Sequence, residues 1–349
     1  MQIDITQVQK SNIDNYDFNN LEFGKIFTDY MLVTDYDGKE WSKFSIEPIK
    51  HLTIHPAMSA LHYGQTVFEG LKAYRNEKGE VNIFRLTDNL VRLNKSAERM
   101  EMAQINVDDT FKALSKFIEM QKEWIPARDQ GSLYIRPFII ATDNTLRAKP
   151  SSSFRFMVIA CPVGFYYSKA LSIVLGREYT RAASGGVGFA KAGGNYAASF
   201  YPNQIANELG YDQILWTDIN HDYTLEELGS ANFFYVRDNE LITPQLKDSI
   251  LAGITRDTVI TIARERGLVV REELIKAGDF EKDLKAGRVN CMFATGTAAS
   301  MTFVNYVTID GSKYHIKSDK YEPMDQIKNE IDKIKFLEKS NNHNWNVVV

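Results

Sequence analysis

Segments whose apolar residues alternate with a period of two take turns, along the whole chain, with segments whose apolar residues recur every three to four positions. This interleaving constrains the fold more than any single motif does. Strands are expected at 26–33, 70–74, 81–84, 132–140 and 154–161, each rich in β-branched and aromatic residues. Two helices are expected among them: 87–100, with Leu90, Leu93, Ala97 and Met100 on one face, and 109–124, repeating Phe111, Leu114 and Ile118 behind an acidic start. Pro, Gly and two tyrosines break the pattern at 162–169. Beyond them the reading gives a strand at 171–180, a helix at 196–209 stopped by Gly210, strands at 213–217 and 231–237, and a helix at 255–266 stopped by Gly267. Strands at 289–294 and 302–309 follow, then an amphipathic helix carrying Ile327, Ile331 and Ile334. The order is not a strict βαβ repeat, so the expected class is α+β, in two domains that meet at a cleft. A length of 349 residues suits that division: a smaller domain at 1–165, a linking loop at 166–176 and a larger domain at 177–349.

Charge and composition exclude several functions. The formal net charge is −4 and no stripe of Lys and Arg is present, so nucleic acid is not an expected partner. Two cysteines, Cys161 and Cys291, stand far apart among apolar neighbours, which provides neither a disulfide framework nor a metal quartet. The first twenty residues are polar and acidic, unlike a secretory or transit leader, and no run approaches the roughly 20 apolar residues of a membrane helix. A cytoplasmic protein with no membrane partner and no metal is expected.

Residues 185–194, GGVGFAKAGG, hold five glycines around Lys191, with Asn195 and Tyr196 directly after. Each glycine gives up roughly 0.5–1 kcal/mol against alanine in regular structure, so the segment either turns freely at the surface or lets its backbone approach something bulky. Lys191 is followed by Ala192, which excludes a Walker loop, and a third glycine for a dinucleotide fingerprint is missing. A desolvated lysine amine, by contrast, attacks carbonyls and forms the Schiff base that pyridoxal phosphate chemistry needs. Glu226 and Glu227 precede a Gly-Ser turn. A carboxylate aimed at a pyridine nitrogen keeps it protonated, a job assigned here to Glu227, while Glu226 is read as a solvated turn residue. Small residues at 252–253 lead a helix whose first amides, of Ile254 and Thr255, suit an anion. Residues 294–300 add hydroxyls between two strands, and Tyr63, Phe68, Arg92, Tyr134 and Arg136 add aromatic walls and two cations.

Taken in order, these segments resemble the branched-chain aminotransferases, which are fold-type IV pyridoxal-phosphate enzymes. The likeness runs through Phe23-Gly24, YGQTVFEGLK from Tyr63, Arg92, Tyr134-Ile135-Arg136-Pro137, KAGGNY from Lys191, Glu227-Leu228-Gly229, Gly253-Ile254-Thr255-Arg256 and Gly296-Thr297-Ala298. The resemblance implies that Lys191 is catalytic and holds the aldehyde of pyridoxal 5′-phosphate. Tyr196 would contact the ring oxygen and Glu227 the ring nitrogen, with Arg92, Ile254, Thr255 and Thr297 on the phosphate. Phe23, Tyr63, Phe68, Tyr134 and Tyr166 would line the pocket for a branched side chain, Arg136 would meet the distal carboxylate of glutamate, and Thr297 and Ala298 the α-carboxylate. The implied partners are branched-chain L-amino acids, glutamate and 2-oxo acids, exchanged in ping-pong order by a homodimer or larger assembly.

One departure is visible: a Cys-x-x-Cys pair of mammalian relatives is replaced by Ala299 and Thr302, so no thiol switch is expected. The competing readings are a D-amino-acid aminotransferase or an aminodeoxychorismate lyase of the same fold, which would share Lys191 and Glu227. A phosphate-binding protein without chemistry would require neither.

Overall fold

The computed structural model describes every residue except Met1, 165–168 and Ala299. It divides into two compact units, each built on a nine-stranded sheet.

The first unit comprises Met1–Tyr166, Ala190–Gly194 and Lys333–Val349. Its strands are β1 (Asp4–Ile5), β2 (Tyr30–Tyr36), β3 (Ser45–Pro48), β4 (Thr66–Phe68), β5 (Leu71–Arg75), β6 (Val81–Phe84), β7 (Ser132–Ala141) and β8 (Phe154–Val163). Their order is β1-β3-β2-β8-β7-β5-β6, closed by the chain's last strand, Asn346–Val348, with β4 on β7. Helix α1 (Ser59–Tyr63) precedes β4, and α2 (Leu86–Arg99) and α3 (Val107–Glu119) supply the apolar layer. On α2 the residues Leu86, Leu90, Leu93 and Ala97 are fully buried at helical spacing, and on α3 so are Ala113, Leu114, Phe117 and Ile118. Each large apolar side chain buried this way contributes roughly 1.5–3 kcal/mol. Asn106 starts α3 by accepting the Asp109 N–H at 2.9 Å.

The second unit comprises Tyr167–Phe189 and Asn195–Asp332. Strands β9 (Leu171–Leu175), β10 (Gln213–Asp218), β11 (Thr224–Leu228), β12 (Asn232–Arg237), β13 (Glu240–Pro244), β14 (Val270–Glu273), β15 (Val289–Gly296), β16 (Ser300–Ile309) and β17 (Ser312–His315) form its sheet. The path β11-β10-β9-β16-β15-β12 returns on itself through a β11–β12 pairing, so six strands form a ring without an open edge between them. Helices α4 (Gly193–Ala197), α5 (Phe200–Glu208), α6 (Ile254–Glu265), α7 (Ala277–Lys285) and α8 (Glu322–Lys335) complete the element list. Phe280 of α7 packs edge-on to Tyr235 and Phe233, while Phe234 and Phe293 stack on the alternate side chains of β12 and β15.

Several expectations need correction. The helix expected at 196–209 is two short helices, because the Tyr196 carbonyl accepts from both the N–H and the hydroxyl of Ser199. The helix expected to reach Trp124 ends at Glu119 and continues as a 3-10 turn, Lys122–Trp124, and the strand expected from Ile26 begins at Tyr30. The supposed loop at 166–176 contains β9. The expected boundaries 1–165 and 177–349 also miss two returns of the chain to the first unit, at Ala190–Gly194 and Lys333–Val349, where Asn82 donates to the Lys335 carbonyl. A period-based reading follows neighbours along the chain and does not register such returns.

Candidate active site

In the first unit, the segment around Lys191 is held as an added strand. Phe68 N–H donates to the Lys191 carbonyl at 3.0 Å, Lys191 N–H donates to Ser96 Oγ at 2.9 Å, and Val67 and Ala192 form an antiparallel bridge. Anchored on both sides, the lysine projects its amine over Phe68, Nζ lying 4.9 Å from the ring centroid. The guanidinium of Arg136 lies 4.6 Å from the same centroid, and its Nη2 donates to Tyr134 Oη at 2.9 Å. Phe23 meets Tyr134 edge-on at 4.9 Å. Two cations and three aromatic rings thus share one small region. Tyr134 also presses on Gly70, where a Cβ would stand 2.1 Å from the phenol oxygen, so the glycine is required by close approach. Beside it Glu69, fully buried, accepts a fork from Arg92: Nε to Oε1 and Nη2 to Oε2, both at 2.7 Å.

In the second unit, Glu227 on β11 is buried and surrounded by donors. Arg181 Nη2 lies 2.8 Å from Oε1, the Leu251 N–H donates to Oε1 at 3.1 Å, and Asn232 Nδ2 donates to Oε2 at 2.9 Å. Asn232 also ties this carboxylate to the start of α6. Its Nδ2 donates to the Leu251 carbonyl at 2.9 Å, and its amide oxygen packs against Gly253, which precedes the helix with no side chain over the first turn. A carboxylate and the positive end of a twelve-residue helix are therefore tied together through the Asn232 side chain and the Leu251 amide. Thr297 and Ala298 form the half-buried turn from β15 to β16, whose Gly296 lies against the Ser230 carbonyl.

The residues named from sequence thus fall into two groups. Phe23, Phe68, Tyr134, Arg136 and Lys191 are brought together, with Arg92 beside them through Glu69. Glu227 is brought together with Ile254 and Thr255, the first residues of α6. Tyr63 ends α1, exposed, and gives its hydroxyl to the Leu146 carbonyl instead of joining the rings. Tyr196 is half-buried in α4, and Tyr166 lies outside the described residues. Glu226 is a correction: it is 1% exposed, not solvated, and burial pushes its carboxyl above the usual carboxylate range against the pull of Ser249 and Lys247. Sequence reading also gave no role to Glu69, Ser96, Arg181 or Asn232. Glu69 carried a signal, a carboxylate flanked by Phe68 and Gly70 between two apolar strands; Ser96 and Arg181 act across long separations, and Asn232 acts from five positions beyond Glu227, across the turn between β11 and β12. Among the described residues no group of three or more His, Cys, Asp or Glu stands where a metal could bind, and no helix is long and apolar enough to cross a membrane.

The family model for amino-transferase class IV matches residues 66–307, which contain both groups apart from Phe23. The chain belongs to the class IV aminotransferases. Branched-chain-amino-acid transaminase 1 of Bacillus subtilis is 46% identical over 300 residues, 84% of each chain. A probable branched-chain-amino-acid aminotransferase of Staphylococcus aureus is 44% identical, covering 81% of this chain and 80% of its own. Among solved structures, the Escherichia coli branched-chain amino acid aminotransferase superposes with a TM-score of 0.75 at 27% identity, covering 91% of this chain and 98% of that one. The Thermoproteus uzoniensis branched-chain aminotransferase with norvaline gives 0.76 at 25%, covering 91% and 99%. Class IV aminotransferases of this fold-type IV architecture are pyridoxal-phosphate-dependent transferases, and this chain is one. Its residues fit the cofactor: a phosphate needs N–H groups and a positive helix end, a pyridine nitrogen needs an acid, and the second unit holds both through Asn232.

Proposed function

We propose that this class IV aminotransferase is a branched-chain-amino-acid aminotransferase, moving amino groups reversibly between L-leucine, L-isoleucine or L-valine and 2-oxoglutarate. The observation that carries the reading is the Phe68 ring, which has the Lys191 amine and the Arg136 guanidinium within 5 Å of its centroid and Tyr134 and Phe23 alongside. Apolar rings receive a branched side chain, while the guanidinium receives the distal carboxylate of glutamate; one pocket then serves both substrates in turn. The 40–46% identity to curated branched-chain enzymes over most of the chain supports the same substrate class.

When bound, the cofactor supplies an electron sink for the bond broken at the substrate α-carbon. The residues of the chain would do the following. Lys191 would hold the aldehyde, and its Nζ would carry the α-proton. Glu227, held by Arg181 and Asn232, keeps the proton on the ring nitrogen, and Tyr196 donates to the ring oxygen. Arg92, the Ile254 and Thr255 amides and Thr297 hold the phosphate; Thr297 and Ala298 amides receive the α-carboxylate. Tyr166 would complete the apolar wall, whereas Tyr63, exposed at the end of α1, is not assigned to it. A homodimer in the cytoplasm belongs to the same reading.

A coupled assay with 2-oxoglutarate against L- and D-amino acids tests it. L-leucine, L-isoleucine and L-valine are expected to exceed all other amino donors in kcat/KM. Preference for D-alanine would assign a D-amino-acid aminotransferase, and release of pyruvate from aminodeoxychorismate would assign a lyase.

A further inference from the structure

Glu226 is a buried acid with no part in the reading above. Its side chain is fully enclosed, its Oε2 has no hydrogen-bond partner among the described residues, and β11 also buries the apolar Leu225 and Leu228. Enclosing a carboxylate with one oxygen unsatisfied is unfavourable, and an aliphatic side chain would fill the place better. Burial accordingly raises the carboxyl's affinity for a proton. Stability of the strand gives no reason for an acid here, so the reason lies in what Oε1 holds.

That oxygen accepts the hydroxyl of Ser249 and lies 3.1 Å from Lys247 Nζ, whose other carboxylate partner is Asp218 at 3.1 Å. The carbonyl of the same Ser249 accepts from Arg181 Nη2. This nitrogen also donates to the Gly188 carbonyl at 3.0 Å and pairs with Glu227 Oε1 at 2.8 Å. Ser249 has no slack on its other side: a Cβ at Gly188 would stand 2.6 Å from its carbonyl oxygen and 2.7 Å from its Cα. Two residues further on, the Leu251 N–H donates to Glu227 itself. Moving Ser249 therefore moves both the guanidinium and the amide that hold Glu227.

We propose that Glu226 is a positioning residue for Glu227, acting through Ser249 and Arg181 to fix the place of the acid that serves the cofactor ring. The inference rests on the role of Glu227 proposed above. Glu226→Val removes the acceptor, Glu226→Gln keeps an acceptor for the Ser249 hydroxyl, and Ser249→Ala removes the donor with little change of volume. Each variant is prepared without cofactor, its thermal midpoint is recorded, and its pyridoxal phosphate affinity is measured by fluorescence quenching; kcat and KM follow on the reloaded enzyme.

For Glu226→Val and Ser249→Ala the expected results are cofactor binding weakened about tenfold and kcat lowered about tenfold, with KM within about threefold of the parent. Glu226→Gln is expected within about threefold of the parent in each. Parental cofactor affinity and kcat in Glu226→Val, or in Ser249→Ala if the valine variant does not fold, would overturn the proposal, as would a glutamine variant as weak as the valine. Glu227→Gln, measured in parallel, separates the two claims. Damage there without damage at 226 or 249 removes the positioning role alone, whereas parental behaviour of Glu227→Gln removes the reading on which it rests.

Discussion

Replacing Glu69 by alanine leaves the Arg92 guanidinium buried without its carboxylate. The pair makes two charge-assisted bonds of 2.7 Å, and the side chains are 0% and 11% exposed, so solvent cannot substitute for the lost partner. Breaking a buried pair from one side costs about 3–5 kcal/mol, a range that two bonds of about 1.5–3 kcal/mol each also reach. Arg92→Met strands the carboxylate instead and is expected to cost a similar amount. The double variant Glu69→Leu with Arg92→Met removes both charges, and is expected to recover stability to within about 1–2 kcal/mol of the parent. Urea unfolding of the cofactor-free protein gives the three values. The double variant also separates fold from function: stability returns, but with no cation at position 92 the affinity for pyridoxal phosphate stays low. A loss below about 1 kcal/mol in Glu69→Ala would refute the claim that the pair is desolvated. A double variant with parental cofactor affinity would refute the phosphate role of Arg92.

Gly70→Ala brings a Cβ to 2.1 Å from Tyr134 Oη, so the phenol must retreat by about 1 Å to regain ordinary contact. The expected outcome is a destabilisation of about 1–3 kcal/mol and a raised KM for 2-oxoglutarate, since Tyr134 accepts from Arg136; parental KM and melting would contradict it. Asp143 is held at about 2: burial pushes it up, but the Ser152 N–H, the Ser153 and Ser152 hydroxyls and Lys149 outweigh that. Its contribution is complete above the unfolded value of about 3.9 and is lost as pH falls through the folded one. Asp143→Asn is thus expected to melt lower than the parent at neutral pH, with the gap closing between about pH 4 and pH 2; a gap constant with pH would exclude this origin. Burial pushes both thiols up, Cys161 and Cys291 alike, so peroxide is not expected to produce an inhibition that thiol reductant reverses, as rates with and without reductant would show.

The elements with a strong internal period were legible in the sequence. The stripe Leu90, Leu93, Ala97 gave α2 within a residue at each end, and β6 was placed at its observed bounds. Short strands such as β13, β14 and β17 were not, because four or five residues carry little periodicity of their own. The site divides the same way. Lys191 stood out by its glycines and Glu227 by its turn, but Arg181 reaches Glu227 across forty-six positions and Ser96 reaches Lys191 across ninety-five, distances at which a chain records no pattern. Glu226 was misread because two adjacent acids before a Gly-Ser turn resemble a solvated corner; only the pairing of β11 on both sides encloses them.

The account depends on Lys191 being the amine that carries the cofactor. Borohydride reduction of the purified, cofactor-loaded protein, followed by proteolysis and tandem mass spectrometry, fixes the attachment point directly. A phosphopyridoxyl group on Lys191 and on no other lysine is the expected result. The same group on Lys247 or Lys72 with Lys191 unlabelled, or no labelled peptide at all, would contradict it.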